Sequence, residues 1–284
     1  MESALGLPAP AKLNLFLHVT GRRADGYHSL QTAFQLIDLA DWLDYTVRDD
    51  GEIVRAGDLA WSAEQDLVVR AARALRDATG CRLGVSISVT KRIPPGSGMG
   101  GGSSDAATTL LALNRLWGLG LTRQELAAIA LPLGADVPFF LHGGNAFAEG
   151  VGEQLQPIVT RSLWFGVIWP QVHVSTREIF TDPGLTRNTK LTKIADFSAA
   201  AGHLPQTLFG ANDLEPVARR RFPEIERALA RLRPYGPARM TGSGSAVFVP
   251  VDSESEARAA VAEGPAPWHR WAVRGLNEHP LAAW

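Results

Sequence analysis

The chain has 284 residues, a formal net charge of -1 and one cysteine. Its hydrophobic fraction of 45% and charged fraction of 20% exclude a generally disordered protein. The near-zero net charge argues against a dedicated binder of nucleic acid or of a membrane surface. Cys81 has no intrachain disulfide partner, and no apolar run is long enough to span a bilayer. We therefore expect a cytoplasmic protein of one large or two medium domains, working as a monomer or a homodimer.

The first fifty residues have the pattern of β-structure. Residues 10–20 alternate apolar and polar side chains in part, which predicts a strand. A glycine-containing loop follows at 21–29. Residues 34–54 contain further strand-like runs, and we expect Asp41 and Asp44 to interrupt them.

The next segment combines helices with one strand. Residues 65–79 place apolar side chains on one face and charges on the other, which predicts a helix that ends at Gly80. A β-branched run predicts a strand at 85–89. Residues 103–117 are expected to form a helix that starts at Ser103 or Ser104, and a capping box at Thr122 opens another helix that reaches about Leu133.

The remaining elements come in mixed order. Residues 135–141 are expected to be a short connector, 146–158 a hairpin, and 164–170 and 241–250 strands. Residues 215–233 predict one arginine-rich helix. Because strands and helices do not alternate strictly, an α+β fold is favoured over a doubly wound sheet.

The strongest chemical signal is a glycine-rich loop between a strand and a helix, at residues 94–104. Glycine lets backbone N–H groups turn toward a phosphate and lets the phosphate approach closely. The helix that follows adds free N–H groups and a favourable dipole. The segment does not fit the dinucleotide-binding, Walker A or protein-kinase patterns. It predicts a nucleotide phosphate site of another type, with a flexible linker as the alternative.

Two charged residues in apolar surroundings are candidates for catalysis. Lys12 lies inside an apolar strand, where burial is costly unless the ammonium meets an anion. The chain has only four lysines against 24 arginines, which hints at a need for a compact charge here. Asp136 is flanked by apolar residues and could act as a base. The alternatives are a strand-edge lysine that reaches solvent and a carboxylate that caps a turn.

These motifs together resemble a known kinase family. The segments PAKLNLFL, RADGYHSL, IPPGSGMGGGSSDAA, LGADVPFFL and TGSGSAVF occur in the order found in the cytidylyl-methylerythritol kinases. That family belongs to the superfamily of galactokinase, homoserine kinase, mevalonate kinase and phosphomevalonate kinase. The resemblance implies a two-domain α+β fold with the active site in the cleft between domains, and we place the domains at 1–155 and 156–284.

The resemblance also implies an activity and roles for individual residues. The family uses ATP, with an expected Mg²⁺, to phosphorylate the 2-hydroxyl of 4-diphosphocytidyl-2-C-methyl-D-erythritol, a step of bacterial and plastid isoprenoid synthesis. Lys12 and Asp136 match its catalytic pair, and Lys91 and Asp66 lie where it approaches adenosine, Asp66 replacing a common asparagine. The residues that match its phosphate loop are Pro94, Pro95, Gly96, Ser97, Gly98, Met99, Gly100, Gly101, Gly102, Ser103 and Ser104. Those that match its substrate side are Asn14, Tyr27, His28 and Phe180. Metal ligands are not identified.

Three other interpretations are weighed against this one. A sister kinase could act on another alcohol such as homoserine or mevalonate, but Tyr27 and His28 in GYHSL suit a cytosine ring that those substrates lack. A silent nucleotide-binding protein is disfavoured because both Lys12 and Asp136 are present. The arginines of 215–233 more often indicate a solvated helix face than an RNA site.

Overall fold

The fold is α+β, with one large sheet and helices packed against it. The computed structural model describes residues 2–57, 62 and 64–284. The strands are β1 (Ser3–Arg22), β2 (His28–Arg48), β3 (Ile53–Arg55), β4 (Gly84–Thr90), β5 (Ala146–Glu149), β6 (Gln154–Pro157), β7 (Trp164–Trp169), β8 (Arg239–Met240), β9 (Val247–Val251) and β10 (His269–Leu276). The α-helices are α1 (Leu67–Thr79), α2 (Gly101–Leu116), α3 (Arg123–Ala130), α4 (Val137–His142), α5 (Thr176–Thr181), α6 (Ile194–Ala201), α7 (Glu215–Arg221), α8 (Pro223–Leu232) and α9 (Glu254–Val261).

The sheet joins the two halves of the chain through β10. Its main path runs β3-β4-β2-β10-β7-β9-β8, while β1 and the β5–β6 hairpin pair with β2 or with each other. β10 pairs with β7 along most of its length and meets β2 at Gly275 and Leu276. Pairing is antiparallel except between β3 and β4, which agrees with the predicted α+β class. The predicted domain boundary at 155 falls inside β6 and stays a prediction.

Two long strands, β1 and β2, both contribute residues to the cleft. β1 and β2 pair over almost their whole length, with irregularities in register at four places. The expectation that Asp41 interrupts the second run is wrong, because β2 continues through it and its side chain is fully buried. Asp44 also lies within β2, where its carboxylate accepts hydrogen bonds from Gly6 N and Ser88 Oγ. Polar side chains with local partners are tolerated in a paired strand.

Local capping signals predicted several helix ends well. Gly80 ends α1 as predicted, in the left-handed region at φ 67°. The helix begins at Leu67 and not at residue 65, because Asp66, which sequence analysis did not identify as a cap, accepts from Val68 N at 3.0 Å. The capping box of Thr122 and Glu125 opens α3 as predicted. Its last turn, Leu131–Leu133, is a 3₁₀ helix.

Three helix expectations are wrong in their bounds. α2 begins at Gly101 with Gly100 as its N-cap, before the predicted Ser103 or Ser104. The 135–141 connector contains a short helix, α4. The arginine-rich segment is two helices, α7 and α8, because Phe222 precedes Pro223 and leaves the helical region at φ -130°, ψ 89°.

Candidate active site

A cavity of about 1100 Å³ opens between the glycine loop and β1 on one side and the C-terminal half on the other. It receives residues from both halves of the chain, as expected for a cleft between domains. The sequence-predicted residues that line it are Lys12, Asn14, Tyr27, His28, Pro94, Pro95, Gly96, Ser97, Gly98, Gly100, Gly101, Gly102, Ser103, Asp136 and Phe180. Pockets for a single drug-sized ligand measure about 300–1,000 Å³, so this cavity lies just above the upper end of that range.

Lys12 and Asp136 form an ion pair in the wall of the cavity. Lys12 Nζ lies 3.4 Å from Asp136 Oδ2, and the lysine side chain is only 4% exposed while the aspartate is 34% exposed. Asp136 occupies the N-cap position of α4 but its side chain makes no capping hydrogen bond. The turn-cap alternative therefore has no support in the structure, and this carboxylate is open to a ligand.

Neighbouring side chains hold the Lys12 ammonium in place. Lys12 Nζ donates to Asn14 Oδ1 at 2.6 Å and lies 5.2 Å from the centre of the Phe34 ring. Asn14 in turn donates from Nδ2 to Thr32 Oγ1 at 2.9 Å, and Thr241 Oγ1 donates to its Oδ1 at 3.3 Å. Asn14 was predicted on the substrate side, and besides lining the cavity it orients the Lys12 ammonium.

The glycine loop packs between Lys12 and the TGSGS loop at 241–245. Lys12 N donates to Met99 O at 3.0 Å, and Ala246 N donates to Ser97 O at 3.0 Å. A Cβ on Gly98 would lie 2.2 Å from Thr241 O, so only glycine fits this crossing at φ +80°. The TGSGS loop lines the cavity with Gly242 and Ser243.

The first turn of α2 presents its backbone to the cavity. The first helical bond runs from Ser104 N to Gly100 O at 2.9 Å, so the N–H groups of Gly101, Gly102 and Ser103 have no partner within the helix. These groups and the positive end of the dipole of a 16-residue helix attract an anion. The loop is thus suited to bind phosphate, as the sequence predicted.

Four predicted ATP-side residues do not line the cavity, and their contact with ATP stays a prediction. Met99 and Ser104 are fully buried beneath the loop. Asp66 caps α1 and pairs with Arg55, whose Nε lies 3.2 Å from its Oδ2. Lys91 is held by two carboxylates instead of facing the cavity.

Those carboxylates form a buried network beneath the loop, which we call the Lys91 network: Lys91, Asp41 and Asp105. Lys91 Nζ donates to Asp105 Oδ2 at 2.6 Å and also to Asp41. Asp41 Oδ1 accepts from Ile93 N at 2.8 Å, just before the glycine loop, and Asp105 lies in α2, just after it. The network therefore ties both ends of the loop to β2.

Lys91 shares its ammonium between two carboxylates in this network, and one of them, Asp105, has a shifted pKa. Burial, opposed by Lys91 and reinforced by Asp41, raises the pKa of Asp105 to about 7. Asp105 Oδ1 is buried with no hydrogen-bond partner among the described residues. Burial disfavours the charged form of Lys91, but the two carboxylates outweigh it and raise the lysine's pKa.

The residues predicted on the substrate side bring aromatic rings to the cavity. His28 stacks on Phe180 with ring centres 5.0 Å apart and planes at 27°. Tyr27 is 68% exposed at the cavity mouth. Sequence analysis missed the arginines that line the same region, Arg22, Arg177 and Arg187. No sequence motif distinguishes them from the chain's other arginines.

The comparisons with known proteins agree with this geometry. The chain matches the GHMP kinases N terminal domain over residues 66–144 and the GHMP kinases C terminal family over 197–270. It is 57% identical over 279 residues to the 4-diphosphocytidyl-2-C-methyl-D-erythritol kinase of Ralstonia nicotianae, covering 97% of this chain and 95% of the relative. The kinase of the same name from Aromatoleum aromaticum is 55% identical over 278 residues, covering 98% and 95%.

Solved structures give the same result. A crystal structure of 4-(cytidine 5'-diphospho)-2C-methyl-D-erythritol kinase matches with a TM-score of 0.80 and 35% identity, covering 97% of this chain and 100% of that one. The homoserine kinase of Cytophaga hutchinsonii, at 18% identity and a TM-score of 0.68, covers 98% and 96% and shares the fold.

We expect Gly100→Ala to weaken ATP binding by about tenfold or more. Gly100 has φ +75°, which costs an alanine about 1–2 kcal/mol, and the new Cβ would lie 3.0 Å from Phe140 Cζ and 3.2 Å from Lys12 Cε. Calorimetric titration with a non-hydrolysable ATP analogue measures the change. Gly202→Ala is the control, because Gly202 has helical angles and a Cβ there only reaches 3.4 Å from Ala199 O. Equal affinities in both variants would contradict the assignment of the loop.

We expect Asp105 to make the stability of the fold depend on pH. Its folded pKa of about 7 lies above the ordinary value near 4, so the folded state binds the proton more tightly. The stability it contributes is complete below about pH 4 and is lost as the pH rises through about 7. Urea unfolding should therefore show wild-type stability falling, relative to Asp105→Asn, between about pH 5 and pH 8. The exposed Asp196→Asn serves as control, and parallel curves for wild type and Asp105→Asn would refute the expectation.

Both family domains, the full-length relatives and the phosphate loop beside a lysine–aspartate pair lead to one conclusion: this chain belongs to the 4-diphosphocytidyl-2-C-methyl-D-erythritol kinase family of the GHMP kinases.

Proposed function

We propose that this chain transfers the γ-phosphoryl group of ATP to the 2-hydroxyl of 4-diphosphocytidyl-2-C-methyl-D-erythritol. The observation that carries the proposal is the Lys12–Asp136 contact of 3.4 Å in a cavity whose other walls are the glycine loop and the His28–Phe180 stack. One wall suits a nucleotide phosphate and the other suits a pyrimidine ring. The full-length relatives named for this substrate support the same reading.

In this mechanism the protein positions the reactants and stabilises charge. Phosphoryl transfer needs little covalent chemistry from the enzyme, so alignment and electrostatics supply most of the rate. Asp136 is partly exposed and accepts the proton of the attacking hydroxyl. Lys12 has three N–H groups; one donates to Asn14, a second faces Asp136, and the third is free to stabilise the transferred phosphoryl.

The glycine loop fixes ATP by its phosphates. The backbone N–H groups of the first turn of α2 are preorganised, since the Lys91 network anchors the chain before and after the loop. Preorganised donors need no rearrangement during the reaction, and this increases their effect on the transition state. The loop therefore holds the γ-phosphate near Lys12.

Magnesium is expected to arrive with ATP. The described residues contain no cluster of three acidic, histidine or cysteine side chains that could hold an ion alone. This fits Mg²⁺, which keeps several waters and binds through one or two protein oxygens plus substrate phosphates. Ser103 lines the cavity, and its hydroxyl is the oxygen donor we propose for it. The bound ion would neutralise phosphate charge.

The remaining assignments concern location and assembly. No helix among the described residues is both long and apolar enough to cross a membrane. We propose a cytoplasmic location from the single unpaired cysteine, Cys81, and the use of ATP. Monomer or homodimer stays a prediction, which the mass of the protein in solution would decide.

We expect Asp136→Asn to lower kcat by about 10²-fold or more, the scale of a lost general base. Asparagine keeps the shape of the side chain but cannot accept the proton. A coupled ADP-release assay with the cytidine substrate measures kcat, and titration with ATP should show nearly unchanged affinity. Asp196→Asn, on the exposed surface of α6, is the matched control. A variant with near-normal kcat would remove Asp136 from the chemistry.

We expect Tyr27→Ala to raise KM for the cytidine substrate by about tenfold. Stacking of a base on an aromatic ring contributes roughly 1–3 kcal/mol, and tenfold corresponds to about 1.4 kcal/mol. KM for ATP should change little, because the glycine loop holds that ligand separately. Tyr27→Phe keeps the flat ring and should behave like wild type. Unchanged KM in Tyr27→Ala would place the cytosine elsewhere and favour a sister kinase acting on another alcohol.

A further inference from the structure

Arg187 lies where the two aromatic residues of the substrate wall meet. His28 opens β2 in the N-terminal half, whereas Phe180 belongs to α5 in the C-terminal half. Arg187 lines the cavity beside them and is half-buried. Its guanidinium contacts both residues, so it connects the two halves of the chain at the substrate side of the cleft.

The contact with His28 selects one form of the imidazole. Arg187 Nε donates to His28 Nε2 at 3.2 Å. A guanidinium nitrogen can only donate, so His28 Nε2 must offer a lone pair and the ring hydrogen must lie on Nδ1. His28 is therefore held neutral and presents Nδ1–H as its one donor. Burial lowers the pKa of His28, and the charges of Arg187 and Arg22 lower it further.

The same guanidinium organises the backbone that carries Phe180. Its NH2 group donates to Phe180 O at 3.0 Å and to Asp182 O at 2.7 Å. Its NH1 group donates to Leu185 O at 3.1 Å. Phe180 O lies in the last turn of α5, and the carbonyls of Asp182 and Leu185 lie in the segment that follows. None of the three accepts a hydrogen bond from an N–H group of the helix. Arg187 thus holds the Phe180 ring against His28.

We propose that Arg187 is a positioning residue for recognition of the pyrimidine. It fixes both the tautomer of His28 and the position of the Phe180 ring. The proposal rests on the function proposed above. A cytosine edge carries ring-nitrogen and carbonyl acceptors, and a neutral imidazole with its hydrogen on Nδ1 supplies a donor to such an edge. The opposite tautomer would offer a lone pair at Nδ1 and repel the same acceptors.

Direct binding of substrate phosphate by Arg187 is the competing role, and its hydrogen bonds argue against it. A guanidinium has five N–H groups, and four of them already donate to His28, Leu185, Phe180 and Asp182. A bidentate clamp on a phosphate needs two free N–H groups on one edge. Arg187 could form such a clamp only by breaking hydrogen bonds that hold His28 or the backbone around Phe180.

Kinetics of Arg187→Ala and Arg187→Lys test the proposal. We expect KM for the cytidine substrate to rise about tenfold in both, with kcat and KM for ATP little changed, because lysine cannot reproduce the planar fork. Arg227→Ala, an exposed arginine on α8 outside the cavity, is the control. An Arg187→Lys enzyme with wild-type KM would overturn the proposal, since it would show that charge alone suffices.

Nitrogen NMR of the substrate-free protein gives an independent readout. With ¹⁵N-histidine labelling, and His28 assigned by loss of its signals in His28→Gln, the wild type should show hydrogen on Nδ1 and a free Nε2. Arg187→Ala, which removes both the donor and its charge, should show a mixture of tautomers and a raised pKa for His28. Hydrogen on Nε2 in the wild type would refute the tautomer assignment. If wild type does not turn over the cytidine substrate, the proposed function fails, whereas wild-type turnover with unchanged Arg187 variants rejects only this inference.

Discussion

The active site depends on a buried ammonium group. Lys12 is almost completely shielded inside a 20-residue strand, where an isolated charge would be expensive. Three groups make its burial tolerable: the side-chain oxygen of Asn14, the Phe34 ring and the Asp136 carboxylate. Each partner comes from a different position in the fold, so β1, β2 and the start of α4 must meet at this point. The arrangement that stabilises the lysine therefore also brings Lys12 and Asp136 together, the pair that we propose for catalysis.

The glycine-rich loop also depends on contacts with buried residues for its rigidity. Glycines allow its tight turns but give it little stiffness of their own. The Lys91 network and the hydrogen bond from Lys12 N to Met99 O supply that stiffness from below. Because the network is buried, its hydrogen bonds are little weakened by water. The loop can thus expose its N–H groups to a ligand without collapsing.

The two sides of the cleft have complementary chemistry. The side formed by the glycine loop presents backbone N–H groups and a helix dipole, which attract negative charge. The opposite side presents flat rings, with His28 and Phe180 contributed by opposite halves of the chain. Arg187 bridges these halves through hydrogen bonds to both. Charge on one side and shape on the other suit the two different ligands that we propose for this cavity.

Local patterns in the sequence determined the features that need only near neighbours. The capping residues Gly80 and Thr122 act on backbone groups within four residues, so the sequence alone predicts them. The glycine loop is similar, since its conformational need is local, and the family resemblance supplied the pairing of Lys12 with Asp136.

Only the tertiary structure decided contacts between distant segments. Asn14 N meets Thr241 across 227 residues of chain, and Arg187 meets His28 across 159. The family resemblance placed Lys91 near adenosine, but in the structure its ammonium pairs with two buried carboxylates, those of Asp41 and Asp105. An isolated charge in a sequence does not reveal its partner, because the partner is set by strand register and helix packing. For the same reason Asp41 resembled a strand break but is buried within β2.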